Sequence, residues 1–324
     1  MSYASLSLDL DNQWSYMKTH GDPDWQSYPS YLDVVVPRVL DFLAVRGFTI
    51  SFFIVGQDAA ESKNHKALRA IAAAGHEIAS HSFHHEPWLH LYSDADLEAE
   101  LARAEDAIEQ ATGTRPAGFR GPGFSLSPTT LEVLLRRGYR YDATVFPNLL
   151  NPAARAYFFA TSNLSPEEKE QRKALFGTWK DVLRPLRPFQ WQLQGGRLLE
   201  IPVTTMPWLR LPMHLSYLIY LGKYSRLAAR SYFRLALAVC RISGVKPSIL
   251  LHPLDFLGRE DCPQLRFFPG MDLPRTEKLA MVGELLALLS RHFDIVTVQE
   301  HANRALATQS ASPGRARMAC IESR

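Results

Sequence analysis

The chain has 324 residues, 46% hydrophobic and 21% charged, enough for one large α/β domain or two ordinary ones with a sizeable core. Its 36 Lys and Arg against 33 Asp and Glu leave a formal charge of +3, too little to argue for nucleic acid. Three widely spaced cysteines, Cys240, Cys262 and Cys320, form no CxxC pair, so neither a disulfide framework nor a cysteine metal site is suggested. No apolar run approaches the ~20 residues of a spanning helix. Met1-Ser2-Tyr3 leads straight into a strand-like segment with no signal peptide, and the cytoplasm is the simplest location.

Alternating apolar residues over 3–10 predict a first strand ending in Asp9-Leu10-Asp11-Asn12. A polar, aromatic loop follows with Trp14, Tyr16, Trp25 and Tyr28, then a helix over 31–45 interrupted early by Pro37. A buried strand is expected over 48–55, a helix over 58–74 closing at Gly75, and a short strand over 76–80. Next come an acid-rich helix over 94–112, a strand over 117–120, a helix over 128–137 and a strand over 139–144. This alternation is the signature of parallel βα units. It breaks over 148–195, an irregular stretch read as an insertion or lid. Strands resume at 198–204, 248–252 and 293–298, with helices over 212–242 (two, meeting near Gly222) and 274–291. After Asn303 the chain turns small, polar and basic, and 304–324 reads as a disordered tail. The expected fold class is α/β, one barrel domain over 1–303 of about seven to eight strands, closed or nearly so.

Four sequence pieces end strands at what would be one edge, where a barrel keeps its site. His81 and His85 are four apart; on a helix they would share a face and could grip one metal ion. A histidine-rich surface turn is the plain alternative. Asp9 and Asp11 point the same way at a strand end, so one could ligate a cation while the other stays free as a base. Turn composition is the plain reading there. Arg120 ends a strand and can pair with a neighbouring carboxylate, ahead of a Gly121-Pro122-Gly123-Phe124 loop. His252 follows the buried strand Ile249-Leu250-Leu251.

In this order the motifs resemble the NodB-homology polysaccharide deacetylases, carbohydrate esterase family 4 and its relatives. The resemblance rests on Asp9-Leu10-Asp11, His81-Ser82-Phe83-His84-His85, Arg120-Gly121-Pro122-Gly123-Phe124, Tyr141-Asp142-Ala143-Thr144-Val145-Phe146 and Leu250-Leu251-His252, and runs from residue 4 to about 300. It implies a NodB-like distorted (β/α) barrel and a metal-dependent hydrolase that removes an N-acyl group, acetyl by preference, from an amino sugar. By the same resemblance Asp11, His81 and His85 would hold a divalent metal, zinc first. Asp9 would be the general base, Arg120 would orient it, and His252 would protonate the leaving amine. The loop after Arg120 would supply a backbone N–H to the oxyanion. Pro122, Phe124, Asp142, Phe146 and Leu250 would contact substrate, with Leu250 and Phe146 around the acyl methyl.

Three departures matter. The aspartates form D-x-D, which suits branches acting on lipid-linked sugars or small cyclic amides. The fourth motif lacks a second aspartate, leaving Asp255 as the nearby candidate partner for His252. Gly123 stands where an aromatic is usual. Between Glu200 and Asp255 there is no acidic residue, while Arg226, Arg230 and Arg234 form a basic stripe. The segment 206–242 is therefore expected to make peripheral membrane contact through 206–224, and to be an ordinary barrel helix over 225–242. The substrate would be a polyprenyl-phosphate-linked amino sugar or glycolipid at the inner membrane face. The competing readings are a hydrolase of small non-sugar or cyclic amides, and an inactive glycan- or lipid-binding relative.

Overall fold

The structure is a computed structural model and describes residues 2–151, 159–160, 164–171, 179–311 and 318–320. Strand β1 (Ser2–Leu10) is the hub. It pairs in parallel with β2 (Ser51–Ile54), β8 (Ser248–Leu251) and β9 (Phe293–Val296), so it is buried on both faces from Ala4 onward. Its leucines, Leu6, Leu8 and Leu10, join the largest apolar cluster, while Ser7 and Asp9 point the other way, toward Arg120.

The sheet order is β10-β6-β7-β5-β4-β3-β2-β1-β8, ten strands with β9 beside β1. The remaining strands are β3 (Glu77–Ser80), β4 (Gly118–Phe119), β5 (Tyr141–Asp142), β6 (Phe189–Leu193), β7 (Gly196–Glu200) and β10 (Met318–Cys320). All pairs are parallel except the β6–β7 hairpin. Past Glu200 the chain stays extended and crosses the gap. Ile201 N–H donates to the Asp142 carbonyl at 2.8 Å, Val203 to Val145 at 2.8 Å, and Thr204 to Ser248 at 3.0 Å. This segment joins β5 to β8 and curls the sheet into the distorted α/β barrel expected from the sequence.

Several expectations change. The loop after β1 contains a helix, α1 (Gln13–His20), whose cap Asn12 accepts the Gln13 N–H. After α2 (Leu32–Ala44), the helix expected over 58–74 divides into α3 (Gly56–Ala60), a 3-10 turn (Ser62–Asn64) and α4 (His65–Ala73). Helices α5 (Asp94–Thr112) and α6 (Pro128–Arg136) stand as expected, with Ser93 and Ser127 as caps. The expected irregular insertion holds α7 (Pro166–Gln171), α8 (Trp179–Val182) and β6; its positions 152–158, 161–163 and 172–178 lie outside the described residues. Helices α9 (Leu215–Tyr224) and α10 (Arg226–Ser243) meet at Ser225, which caps α10, three residues from Gly222, near which the junction was expected. Residues 206–211 form a turn, and the helix expected from Pro212 begins at Leu215. After α11 (Arg275–Ser290), helix α12 (Val298–Ala311) occupies 304–311, where a disordered tail was expected. Its Val298, Ala302 and Ala305 are buried against the sheet, which orders the segment despite its polar composition. Positions 312–317 and 321–324 lie outside the described residues.

Candidate active site

The candidate residues sit at the C-terminal ends of parallel strands: Asp9 in β1 with Asp11 just past it, His81 one residue past β3, Arg120 past β4 and His252 past β8. The His81–His85 segment is not helical. Two non-glycine residues in the left-handed region, Ser82 (φ 62°) and His85 (φ 53°), fold it into a tight loop. Buried Glu100 of α5 clamps it by accepting the Phe83 N–H at 2.9 Å, the His84 N–H at 2.7 Å and His84 Nδ1 at 2.6 Å. Tertiary anchoring, not helical spacing, brings the two imidazoles to one point.

Asp11, His81 and His85 each offer one ligand atom, all within 4.8 Å of one another, and all three are buried. Asp11 Oδ1 lies 3.0 Å from His85 Nε2 and 3.4 Å from His81 Nε2, yet has no partner with hydrogen-bond geometry. His81 Nδ1 lies 2.7 Å from the Arg120 carbonyl, which can only accept. The Nδ1 therefore carries the proton and neutral His81 presents a bare Nε2, the arrangement a metal-ligating imidazole takes. Burial pushes the His81 ring down from its ordinary value, toward the neutral ligand form, against the neighbouring carboxylates. For Asp11 burial pulls upward, but the paired His85 outweighs it and holds the carboxyl well below the usual range. An orphaned buried carboxylate oxygen facing two ring nitrogens fits a divalent ion, and nitrogen and oxygen donors with an open position suit zinc.

Asp9 is held apart from this clip. Its Oδ1 accepts from Arg120 at 2.6 Å, and its Oδ2 is 3.9 Å from His81 Nε2. Fully buried Arg120 also donates to Ser7 Oγ (2.9 Å) and the Ala143 carbonyl (2.9 Å) and lies over the Phe53 ring at 4.1 Å, so its position is fixed by four contacts. The turn after it, Pro122–Phe124, commits the Gly121, Phe124 and Ser125 amides to internal hydrogen bonds.

On the far side His252 Nδ1 is 3.1 Å from Ser216 Oγ, and Ser216 donates to Asp255 Oδ1 at 2.8 Å. A serine that donates to a carboxylate accepts from the imidazole. Asp255 Oδ2 also accepts the His252 backbone N–H at 2.8 Å. Asp255, suggested by its place in the sequence, thus reaches the ring through a hydroxyl that the sequence reading missed. The same reading missed His214, whose ring is 5.8 Å from that of His252 and 5.6 Å from that of Phe146. Burial and the charges of His252 and Arg120 depress its pKa strongly. His214 is the only histidine between Glu200 and His252, which was the one available signal. Phe146, Leu250 and Val203 form a small apolar cluster with Phe124, whose ring is 4.6 Å from that of Phe146.

Asp142, expected to contact substrate, is fully buried instead. It is the registered strand partner of Glu200, and its Oδ1 accepts from Thr144. Burial pushes both carboxyls up, Asp142 to about 6; Asp142 drives Glu200 up further, while the hydrogen bond with Glu200 works to lower Asp142. The expected basic stripe is also neutralised in part. Arg226 and Arg230 lie 3.7 to 3.9 Å from Glu277 and Glu284 of α11, as an ordinary barrel helix would place them. Among the described residues no helix is long and apolar enough to cross a membrane.

Fold and site together define a (β/α)-barrel protein with a metal clip flanked by a carboxylate and a histidine. Residues 25–142, just over a third of the chain, match the polysaccharide deacetylase family and are similar to it. The match includes His81, His85 and Arg120 but stops short of Asp9, Asp11 and His252. A peptidoglycan deacetylase of Helicobacter pylori is 27% identical over 152 residues, 46% of this chain and 51% of that one. A peptidoglycan deacetylase-like protein of Gibberella zeae is 34% identical over 77 residues, 24% of this chain and 22% of that one. The chain spans about half the length, or less, of these curated relatives. A solved Mycobacterium smegmatis structure, assigned to the polysaccharide deacetylases, shares the fold with a TM-score of 0.62 at 18% identity, covering 98% of this chain and 94% of that one.

Proposed function

We propose that the protein is a metal-dependent hydrolase that removes an N-acyl group, acetyl first, from an amino sugar. The observation that carries this is the grouping of the Asp11–His81–His85 clip with Asp9–Arg120 on one side and His252–Ser216–Asp255 on the other. Asp11, His81 and His85 would hold the ion, with zinc the best match to the donors. When bound there, a divalent ion supplies Lewis acidity to a carbonyl oxygen and to water.

The chain's own groups do the rest. Asp9, kept in place by Arg120, takes a proton from the attacking water. In this proposal the Gly123 amide, in the turn after Arg120, would stabilise the developing oxyanion. His252, oriented through Ser216 and Asp255, delivers a proton to the leaving amine. Phe124, Phe146 and Leu250, which pack together with Val203, would face the acyl methyl. Pro122 fixes the turn, and Asp142, paired with Glu200, braces the floor under Arg120.

A lipid-carried substrate is the finer reading. Its support is an exposed turn carrying Trp208 and Leu209, 71% and 54% exposed. Flotation with anionic liposomes tests it; no binding by the protein, or equal binding after Trp208→Ser, removes that reading and leaves the hydrolase intact. The reaction itself is tested by acetate release from N-acetylglucosamine oligomers before and after chelation. Release that stops on chelation and returns with zinc is expected. Release from small cyclic amides alone would favour the non-sugar alternative, and release from neither would refute the proposal.

A further inference from the structure

Two carboxyls lie side by side behind the site, closed off from water. Asp142 of β5 and Glu200 of β7 are registered partners on parallel strands, and both are fully buried. Glu200 Oε1 accepts the Val145 N–H at 2.9 Å and its Oε2 accepts Trp191 Nε1 at 2.9 Å. Asp142 Oδ1 accepts the Thr144 hydroxyl at 2.5 Å, but Oδ2 has no partner among the described residues. Were both acids ionised, two like charges would face each other out of water, with one oxygen left unsatisfied. The charge acting on Asp142 from β4 is Arg120, and its guanidinium pairs with Asp9, not with either of these acids.

The hydrogen bonds around the pair say where a proton must sit. Thr144 Oγ1 accepts the Gly121 N–H at 2.8 Å, so its single proton goes to Asp142 Oδ1, which is a bare acceptor. The unsatisfied oxygen is therefore Oδ2, and a protonated Glu200 is the donor beside it. The same three residues hold the Arg120 turn. Thr144 fixes the Gly121 amide, Val145 is tied to Glu200, and between them the Ala143 carbonyl accepts Arg120 Nε at 2.9 Å. Arg120 in turn holds Asp9 through its side chain and His81 Nδ1 through its carbonyl.

We infer that Asp142 and Glu200 share one proton, Glu200 donating to Asp142 Oδ2, and that this acid pair positions Arg120 and, through it, Asp9 and His81. Neither acid touches substrate; both are positioning residues. An apolar pair of the same shape would leave the Thr144 hydroxyl, the Val145 N–H and the Trp191 indole N–H without acceptors. The contribution to catalysis rests on the proposed hydrolase; the shared proton does not.

The test compares Asp142→Asn with Asp142→Leu in the full chain. Asparagine keeps an acceptor for Thr144 and places a permanent N–H donor where Oδ2 stands, so Glu200 ionises. Infrared spectra at neutral pH are expected to lose the C=O stretch of about one protonated carboxyl per chain in Asp142→Asn. Zinc affinity, read by competition with a chelator, should stay within about threefold in Asp142→Asn and fall by about tenfold or more in Asp142→Leu. Thr144→Val, which removes only the hydroxyl link, should keep the infrared band and weaken zinc binding in the same direction. Acetate release from the N-acetylglucosamine trimer should follow zinc affinity across the three variants. An infrared band unchanged in Asp142→Asn overturns the shared proton. Zinc binding as weak in Asp142→Asn as in Asp142→Leu, or undiminished in both Asp142→Leu and Thr144→Val, overturns the positioning role. Absence of acetate release by the wild type refutes the hydrolase, while the infrared and zinc comparisons still decide the pair.

Discussion

Ser216→Ala isolates the hydroxyl between His252 and Asp255. Ser216 Oγ stands 3.1 Å from His252 Nδ1 and 2.8 Å from Asp255 Oδ1. Removing it leaves the imidazole N–H without its acceptor and a 2% exposed carboxylate oxygen without its donor. Asp255 Oδ2 keeps the His252 backbone N–H, so the turn survives and the ring alone is freed. Two hydrogen bonds, one of them charge-assisted, are worth about 2 to 4 kcal/mol together. About 2 kcal/mol of that falling on the orientation of His252 in the transition state gives roughly a 30-fold loss of kcat. The assay is acetate release from the N-acetylglucosamine trimer under saturating zinc. KM and zinc content are expected to hold, and Ser216→Thr, which restores a hydroxyl, to recover most of the rate. Full activity in Ser216→Ala would refute the relay. A loss accompanied by loss of zinc would show that Ser216 acts on the fold and not on His252.

Glu100→Ala unties the Phe83 and His84 amides and the His84 ring, three contacts to one buried carboxylate. Zinc affinity is expected to fall by about 10- to 100-fold, read by competition with a chelator, because the left-handed loop loses its anchor. His301 is buried and pushed down to about 3 by burial and by Lys246 and Arg304. The unfolded chain binds this proton below about pH 6.5 and the folded chain does not until about pH 3, so stability falls as pH drops through that window. The loss is on the order of 5 kcal/mol, and denaturant titrations of His301→Gln should show a slope against pH shallower by about one proton. An unchanged slope would mean that His301 protonates in the fold.

The parts of the site that rest on local pattern were legible in the sequence. Asp9 and Asp11 follow from the period of a strand, and Arg120 and His252 from their places after apolar runs. The metal loop was legible in its ligands but not in its shape. Four-residue spacing suits a helix, whereas the φ values of Ser82 and His85 are imposed by Glu100, which is remote in sequence. Ser216 and Asp142 failed for the same reason. The serine matters only because α9 packs it against Asp255, and Asp142 is buried only because Glu200 is its strand partner. Strand β6 carried a readable signal, Phe189, Trp191 and Leu193 alternating with Gln190 and Gln192, masked by the prolines and charges before it. The tail beyond Asn303 read as disordered by composition, yet a few alanines and Val298 suffice to dock α12 on the sheet.

The most direct measurement is zinc content together with acetate release in Asp9→Asn. Asp9 lies outside the Asp11–His81–His85 clip and is fixed by Arg120, so the variant should keep about one zinc per chain. Its kcat on the N-acetylglucosamine trimer should fall by about 10²- to 10⁴-fold, the range general-base catalysis supplies. Zinc retained with activity gone is the predicted result; zinc retained with activity unchanged would contradict the assignment of Asp9 as the base.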